Sequence, residues 1–403
     1  MNELQLQQKA RAVLTSLYQK THISKELVML YSSRTITRFA LGILGVFLPI
    51  FFFIEFGYDI DVVIAIYLII YGLHLLITPL SARLLSGIGT RRMMILGSMF
   101  SVLSMCALYF FPHNPAYAAV SYAVFAAVYK ALYWIPYHVD FSNSLDGARR
   151  GRQLAILENV ASGVLIIVPT IGGIIIAVFG FSTIFIFAIV TMVLSIVPLW
   201  FTRHAYERYS WSYIETFKHL FAWKNRTLFL AHSANGAQTI AIMLFWPIYV
   251  FLLLGERFTV LGIITSLTIV TVMMLRYFIG KLFDTWSPKK VVVIGILMAT
   301  TGWVTKVFVQ TPFQILIADS YHNFGRTVHA VSFDAITYEQ AADNGRYVDE
   351  YTVLQEMALA VGRIVMLLLM AILISLFDIR VAFIVSALAA LGMIVINKSV
   401  RVY

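Results

Sequence analysis

The sequence has 403 residues, of which 60% are hydrophobic and 12% charged, and its mean hydropathy is +0.83. This composition excludes an ordinary soluble domain, because a core of that size cannot bury so many apolar side chains, and it also excludes disordered chains. The single cysteine, Cys106, excludes an internal disulfide. The net charge of +10 does not indicate nucleic-acid binding, since Lys and Arg fall in short segments between apolar runs.

Apolar runs along the chain predict transmembrane helices, because each is close to the roughly 20 residues that cross a bilayer. They lie at 31–55, 62–82, 93–112, 115–138, 153–178, 181–202, 228–254, 259–280, 291–309, 313–336, 353–376 and 379–397. The predicted fold class is therefore an all-α membrane protein with twelve transmembrane helices in two groups of six.

Five segments follow from these runs. They are an amphipathic N-terminal segment at 1–28, a first bundle at 29–202, a linker helix at 203–227, a second bundle at 228–397 and a tail at 398–403. The first and third segments have apolar side chains at helical spacing and are expected to lie on the membrane surface. Ser210 is the expected N-cap of the linker helix.

The two groups of six are related by a repeat with an offset of 198 residues. Matching residues are Pro49 and Pro247, Gly57 and Gly255, Arg91–Arg92 and Lys289–Lys290, Gly97 and Gly295, Glu158 and Glu356, and Phe179 and Phe377. One offset that survives across five loops is not expected by chance. The halves should superpose about a pseudo-twofold axis along the membrane normal.

The distribution of Lys and Arg predicts the orientation of the chain. Of the 30 such residues, 22 lie in segments on the side of the termini, Arg34 among them, and Arg257 and Arg380 lie on the other side. Because positive charge concentrates in cytoplasmic loops, both termini are expected in the cytoplasm. The expected location is the cell membrane, since Met1 to Lys25 contains no apolar signal sequence.

The loop after the eighth run contains a recognisable pattern. Gly280 is followed four residues later by Asp284, and the loop ends on the basic pair Lys289–Lys290. This pattern resembles the loop motif of the major facilitator superfamily of secondary transporters. Twelve spans in a 6+6 repeat also resemble the architecture of that superfamily, over the whole chain.

The corresponding loop of the first half departs from the motif. Ala82 and Ser86 stand at the positions of the Gly and the Asp, whereas Gly89 and the pair Arg91–Arg92 are kept. The pattern is specific to the superfamily and indicates no subfamily, so it implies no substrate.

The resemblance implies alternating access, in which two bundles rock about a site near the midplane. It also implies that Asp284, with Lys289, braces a cytoplasmic gate. Glu158 is predicted to take part in the gate, because its repeat mate Glu356 occupies the equivalent depth.

Ionisable residues inside the runs indicate the site, because a charge at bilayer depth needs a partner or a watery cavity. In the tenth run such residues follow one another at steps of three, four and three on one helical face: Asp319, His322, Arg326 and His329. In the eleventh run Glu356 and Arg363 share a face. Arg326 and Arg363 are predicted to bind substrate, and Asp319, His322, His329 and Glu356 to couple protons. The alternative is a static network of buried salt bridges.

The fourth run carries Lys130, Tyr133, Trp134 and Tyr137 at helical spacing, and these four are predicted to line the substrate cavity. Other ionisable residues lie nearer the ends of runs: Arg38, His74, His232, Arg276 and Lys306. These are expected to extend towards the membrane surface.

The predicted function is proton-coupled secondary transport of a small anionic or zwitterionic solute, since intramembrane basic residues outnumber acidic ones. One alternative is proton-driven export of hydrophobic or cationic compounds, and another is a sensor or assembly protein that moves no substrate. No enzyme motif, metal-ligand motif or cofactor motif is recognisable. The expected partners are a small-molecule substrate, protons and lipid, and the protein is expected to be a monomer.

Overall fold

The computed structural model describes residues 24–144, 162–202, 205–206, 209–283, 286–342 and 348–398. Those residues form helices and connecting turns, and 88% of them are helical. Glu158, Asp284 and most of the segment 1–28 were singled out by the sequence and lie outside the described residues.

The helices of the first half are α1 Lys25–Leu44, α2 Phe47–Glu55, α3 Ile60–Ile88, α4 Thr90–Tyr109, α5 Pro115–Ser144, α6 Val168–Phe179 and α7 Phe181–Leu199. The linker contains α8 Tyr213–Leu220. The second half contains α9 Arg226–Ile240, α10 Trp246–Leu253, α11 Phe258–Phe283, α12 Pro288–Val307, α13 Pro312–Ala342, α14 Val348–Leu376 and α15 Val381–Gly392. Helices α1 and α2 form one span, as do α9 and α10, which are joined by a π-helical turn at Ala241–Phe245.

Ten helices of the described chain are long and apolar enough to cross a membrane. Helix α13 is not among them, because its polar stripe lowers its hydropathy, and α15 belongs to a shorter apolar segment, Val381–Asn397. The protein is therefore an integral membrane protein with many spans. Large apolar side chains such as Val178, Phe179 and Leu388 are exposed on its outer surface, as expected for contact with lipid.

Local sequence fixes the ends of several helices. The Ser24 hydroxyl accepts a hydrogen bond from the Leu27 amide at 3.1 Å and caps α1. The N-cap of α8 is Ser212, which forms a capping box with Glu215, so the assignment of Ser210 was wrong. Ser210 instead donates its hydroxyl to the Glu350 carboxylate at 2.8 Å, which ties the linker to α14.

Several features recur at the 198-residue offset. Helices α3 and α11 begin at Ile60 and Phe258, and α4 at 90–109 corresponds residue by residue to α12 at 288–307. Gly57 and Gly255 both have positive φ, 71° and 65°. The residues after these glycines, Tyr58 and Glu256, contact each other directly: the Tyr58 hydroxyl donates to the Glu256 carboxylate at 2.7 Å. That hydrogen bond raises the pKa of Tyr58.

Helices α6 and α11 join the two halves with their backbones in close contact. A Cβ atom at Gly173 would collide with the Phe258 carbonyl, and one at Gly262 would collide with the Pro169 carbonyl. Thr170 lies between them and donates its hydroxyl to the Ser266 hydroxyl at 2.8 Å. The halves are thus held together by small residues, as is usual where membrane helices cross.

Candidate functional site

The polar centre of the second half is a buried ion pair between α12 and α13. Lys306 Nζ lies 2.7 Å from Asp319 Oδ1, with 0% exposure of the lysine side chain and 13% of the aspartate. The ammonium also lies 4.1 Å from the ring centroid of Trp246 and 4.8 Å from that of Trp303. Two aromatic faces and one carboxylate therefore surround the cation.

This environment corrects the expectation that Lys306 extends to the membrane surface. The sequence placed it near the end of a run, but α12 packs along α13, and the ammonium finds Asp319 across that contact. His74 and His232, expected to behave in the same way, are buried as well, at 2% and 1% exposure. Near the end of a span, a neighbouring helix can cover a polar side chain before it reaches water.

The residues of the predicted stripe on α13 lie in two different environments. His322 and His329 are buried against α12: the His322 ring lies 4.5 Å from that of Trp303, and His329 packs on Gly295. Within α13, His329 Nδ1 lies 3.1 Å from the Gly325 carbonyl. Arg326 is half-buried, and its guanidinium donates weakly to the Asn323 side chain at 3.4 Å. The imidazoles thus face the helix contact while Arg326 faces open space.

That space is a cavity of about 440 Å³ between α10, α11 and α13, with the π-helical turn beside it. Its polar lining consists of Thr265, Thr268, Arg276, Asp319, Asn323, Arg326 and Thr327. Trp246 and aliphatic side chains form the apolar wall, and Val46 and Ser162 of the first half complete it. A volume of this size suits a small organic molecule.

The residues that line the cavity carry a net positive charge. Asp319 is its acidic lining residue, and Lys306 already neutralises that carboxylate from behind. Arg276 donates to Thr327 at 3.3 Å, so it faces the same space as Arg326. A ligand with a carboxylate or phosphate group would offset this charge through paired hydrogen bonds to guanidinium.

A second group of charges lies where the first half meets α14. Lys130 Nζ is 5.6 Å and Arg363 Cζ is 4.9 Å from the ring centroid of Tyr71, so one ring contacts both cations. The Glu356 carboxylate interacts electrostatically with both, although none of these charges forms an ion pair with any described residue. The Tyr71 hydroxyl reaches Met243 of the π-helical turn at 3.9 Å.

The predicted substrate residues are therefore not one cluster. Arg326 lines the cavity, whereas Lys130 and Arg363 belong to the group around Tyr71. On α5, the side chain of Lys130 points towards α3 and not along the face of Tyr133, Trp134 and Tyr137.

The cation on that aromatic face is Arg34 of α1, whose Cζ lies 4.2 Å from the Trp134 ring and 5.3 Å from the Tyr137 ring. Sequence reasoning counted Arg34 with the cytoplasmic segment, but it lies within a helix and is 8% exposed. The signal that Arg34 belongs to a helix was Ser24, an N-cap residue ten positions earlier.

The sequence matches a known protein family over most of its length. The family model described as the Major Facilitator Superfamily matches residues 30–312, more than half of the chain. No curated protein matches the sequence significantly.

Solved structures with the same fold include three transporters. A mutant of the nucleoside transporter NupG is 11% identical with a TM-score of 0.66, covering 91% of this chain and 98% of its own. A mutant of the E. coli fucose:proton symporter FucP is 14% identical with a TM-score of 0.65, covering 92% and 97%. A POT family transporter in complex with a thioalcohol-conjugated peptide is 13% identical with a TM-score of 0.71, covering 92% and 94%.

The sequence match covers the first half and much of the second, and the structural matches cover nearly the whole of each chain. Together with the helical membrane fold, they lead to one conclusion. The chain belongs to the major facilitator superfamily and is a multi-pass membrane transporter.

Proposed function

We propose that the protein is a proton-coupled secondary transporter of a small anionic or zwitterionic solute. The observation that supports this most is the charge of the cavity, where Arg326 faces open space and the carboxylate of Asp319 is already neutralised by Lys306. A guanidinium at bilayer depth is stabilised when an anion completes its charge balance. The solute anion would take that place on Arg326.

The transport cycle would be alternating access between two six-helix halves that form a twelve-helix bundle. The recurrence of helix bounds at an offset of 198 residues supports a pseudo-twofold relation between the halves. The contact between Tyr58 and Glu256, which are themselves 198 residues apart, supports an axis close to that pair. Asp284, Lys289 and Glu158 would act as gating residues at the opposite end, on the cytoplasmic side of the cell membrane.

Proton coupling would centre on Asp319. Its carboxylate touches both the cavity and Lys306, so protonation would release the ammonium and change the charge of the binding site in one step. His322, His329 and Glu356 would serve as further proton carriers. The fucose:proton symporter FucP has a similar fold, but the proposal of proton coupling depends on the residues of this chain.

The test is binding of solutes to the purified protein, measured as thermal stabilisation across a panel of organic acids, amino acids and sugars. Arg326→Gln should weaken binding of the stabilising anion at least tenfold, while leaving expression largely intact. The matched control is Arg92→Gln, because Arg92 is an exposed basic residue outside the cavity. Normal binding of the solute by the Arg326→Gln variant would contradict the proposal that the solute is an anion bound by Arg326.

Export of hydrophobic or cationic compounds is the second candidate, and the apolar wall of the cavity favours it. Trp246, Val250 and Leu261 provide a surface on which a hydrophobic compound could pack. Efflux of a cationic dye that depends on Asp319 and is indifferent to Arg326→Gln would select this function over the first.

A further inference from the structure

Several polar atoms around Arg34 are buried without a hydrogen-bond partner among the described residues. They are Arg34 Nε, Thr37 Oγ1, the Tyr129 hydroxyl and the Tyr133 hydroxyl. The exposures of these residues are 8%, 0%, 4% and 0%. Thr37 and Tyr133 lie within hydrogen-bonding reach of each other, but Arg34 Nε and the Tyr129 hydroxyl have no partner among the described residues. Buried polar groups are nearly always satisfied, so these two atoms indicate a missing partner.

These atoms converge because α1 and α5 face each other inside the first half. The rings of Tyr129 and Tyr133 are 5.4 Å apart, and both tyrosines interact electrostatically with Arg34. Thr37 lies one helical turn beyond Arg34 and neighbours the Tyr133 hydroxyl. One guanidinium and three hydroxyls thus lie in one buried neighbourhood.

The guanidinium also lacks a counter-ion. No carboxylate of the described residues lies within ion-pair distance of Arg34. The faces of Trp134 and Tyr137 attract the cation, but a ring quadrupole does not neutralise it.

We propose that Arg34, Thr37, Tyr129 and Tyr133 bind a small oxyanion, a carboxylate or phosphate group, inside the first half of the protein. The guanidinium supplies charge and parallel N–H donors, which match the geometry of an oxyanion. Each hydroxyl is free to turn its proton towards the anion. The rings of Trp134 and Tyr137 contact the guanidinium and help to position it.

This site is distinct from the cavity of the proposed function. None of its residues lines that cavity, which is formed by α10, α11 and α13 of the second half with Val46 and Ser162. Arg34 lies about 14 Å along α1 from the start of the helix at Lys25. The oxyanion could therefore come from a free solute or from an anionic lipid headgroup on the side of the termini.

The test measures affinity for inorganic phosphate and for acetate, titrated into the full-length protein in phosphatidylcholine nanodiscs at constant ionic strength. We expect one oxyanion to bind to the wild type, and Arg34→Gln to weaken that binding at least tenfold. Tyr129→Phe and Tyr133→Phe each remove one hydroxyl and keep the ring, so each should weaken binding about three- to tenfold while the protein stays folded.

Matched controls separate this site from general effects. Tyr122→Phe makes the same change in a buried tyrosine of the same helix that packs on Phe52, and it should leave the affinity within twofold. In an Arg326→Gln background, which removes the arginine of the cavity, Arg34→Gln should still weaken oxyanion binding at least tenfold, so failure of this site and failure of the cavity proposal are distinguishable.

A second arm identifies the source of the oxyanion. Nanodiscs that contain phosphatidylglycerol should compete with free phosphate if the headgroup is the ligand, and should not compete if a solute is. Either result supports an oxyanion site. The proposal is overturned if Arg34→Gln, Tyr129→Phe and Tyr133→Phe bind phosphate and acetate as the wild type does, or if the wild type binds neither and retains no anionic lipid.

Discussion

Two ion pairs in the described residues show how burial changes the contribution of an ion pair to stability. Lys306 and Asp319 meet inside the second half, with 0% and 13% of their side chains exposed. Asp378 and Arg380 form a pair of similar length, 3.0 Å, with 51% and 47% exposed. Removing one partner leaves a charge that is both unpaired and buried only in the first case.

We therefore expect Lys306→Met to destabilise the protein by about 3–5 kcal/mol, because it leaves the Asp319 carboxylate buried without its partner. The double variant Lys306→Met with Asp319→Leu should recover most of that loss. The measurement is chemical unfolding of the purified protein followed by tryptophan fluorescence.

Arg380→Gln serves as the control and should change the stability by about 0–1 kcal/mol, as is usual for an exposed pair. Equal effects of Lys306→Met and Arg380→Gln would contradict the assignment of Lys306 to a buried pair.

Individual residues show where sequence reasoning succeeds and where it stops. The stripe of Asp319 and Arg326 was predicted to avoid lipid from spacing alone, and both line a cavity. The partner of Asp319 could not be predicted, because Lys306 is on another helix and its reach depends on which face of α12 meets α13. Arg34 was missed for a similar reason, since its aromatic partners are about 100 residues away.

At the scale of helices, the contact between α6 and α11 depends on two glycines. The backbone of each helix occupies the space that a methyl group on the other would need, at Gly173 and at Gly262. Gly173→Ala or Gly262→Ala should therefore separate the helices and destabilise the protein by about 1–3 kcal/mol, the usual cost of overpacking.

The control for this pair is Gly72→Ala, a position on α3 with open space around it. It should be neutral or slightly stabilising, since alanine favours the helix. Melting temperatures of the three variants provide the comparison. Equal melting temperatures of the Gly262→Ala and Gly72→Ala proteins would show that the close helix contact does not contribute to stability.

Most helices could be predicted from apolar runs, because a span must satisfy its own backbone in lipid. The interruptions inside individual spans could not be predicted in this way. The break between α1 and α2 and the π-helical turn at Ala241–Phe245 occupy equivalent places in the two halves, yet neither coincides with a proline kink. Pro49 and Pro247 follow these interruptions in the first turn of α2 and α10, where proline is tolerated.

At the scale of the whole molecule, the sequence predicted one clamp of three cations, and the structure divides those cations between two places. Arg326 belongs to the second half alone, whereas Lys130 and Arg363 flank Tyr71 where the halves meet. Depth in the membrane can be counted along each helix. Rotation of one helix against another cannot, and it decides which cations share a ligand.

The hydrogen bond between Tyr58 and Glu256 joins the two halves at the membrane face opposite the start of α1. Rocking of the halves would therefore have to separate these two residues. The most direct measurement uses Tyr58→Cys with Glu256→Cys in a Cys106→Ser background, which contains no other thiol. In proteoliposomes, a reducible bifunctional thiol reagent should stop uptake of the solute identified by thermal stabilisation, and reduction should restore it. Either single cysteine, treated in the same way, should transport normally. Full uptake by the completely cross-linked double variant would contradict alternating access.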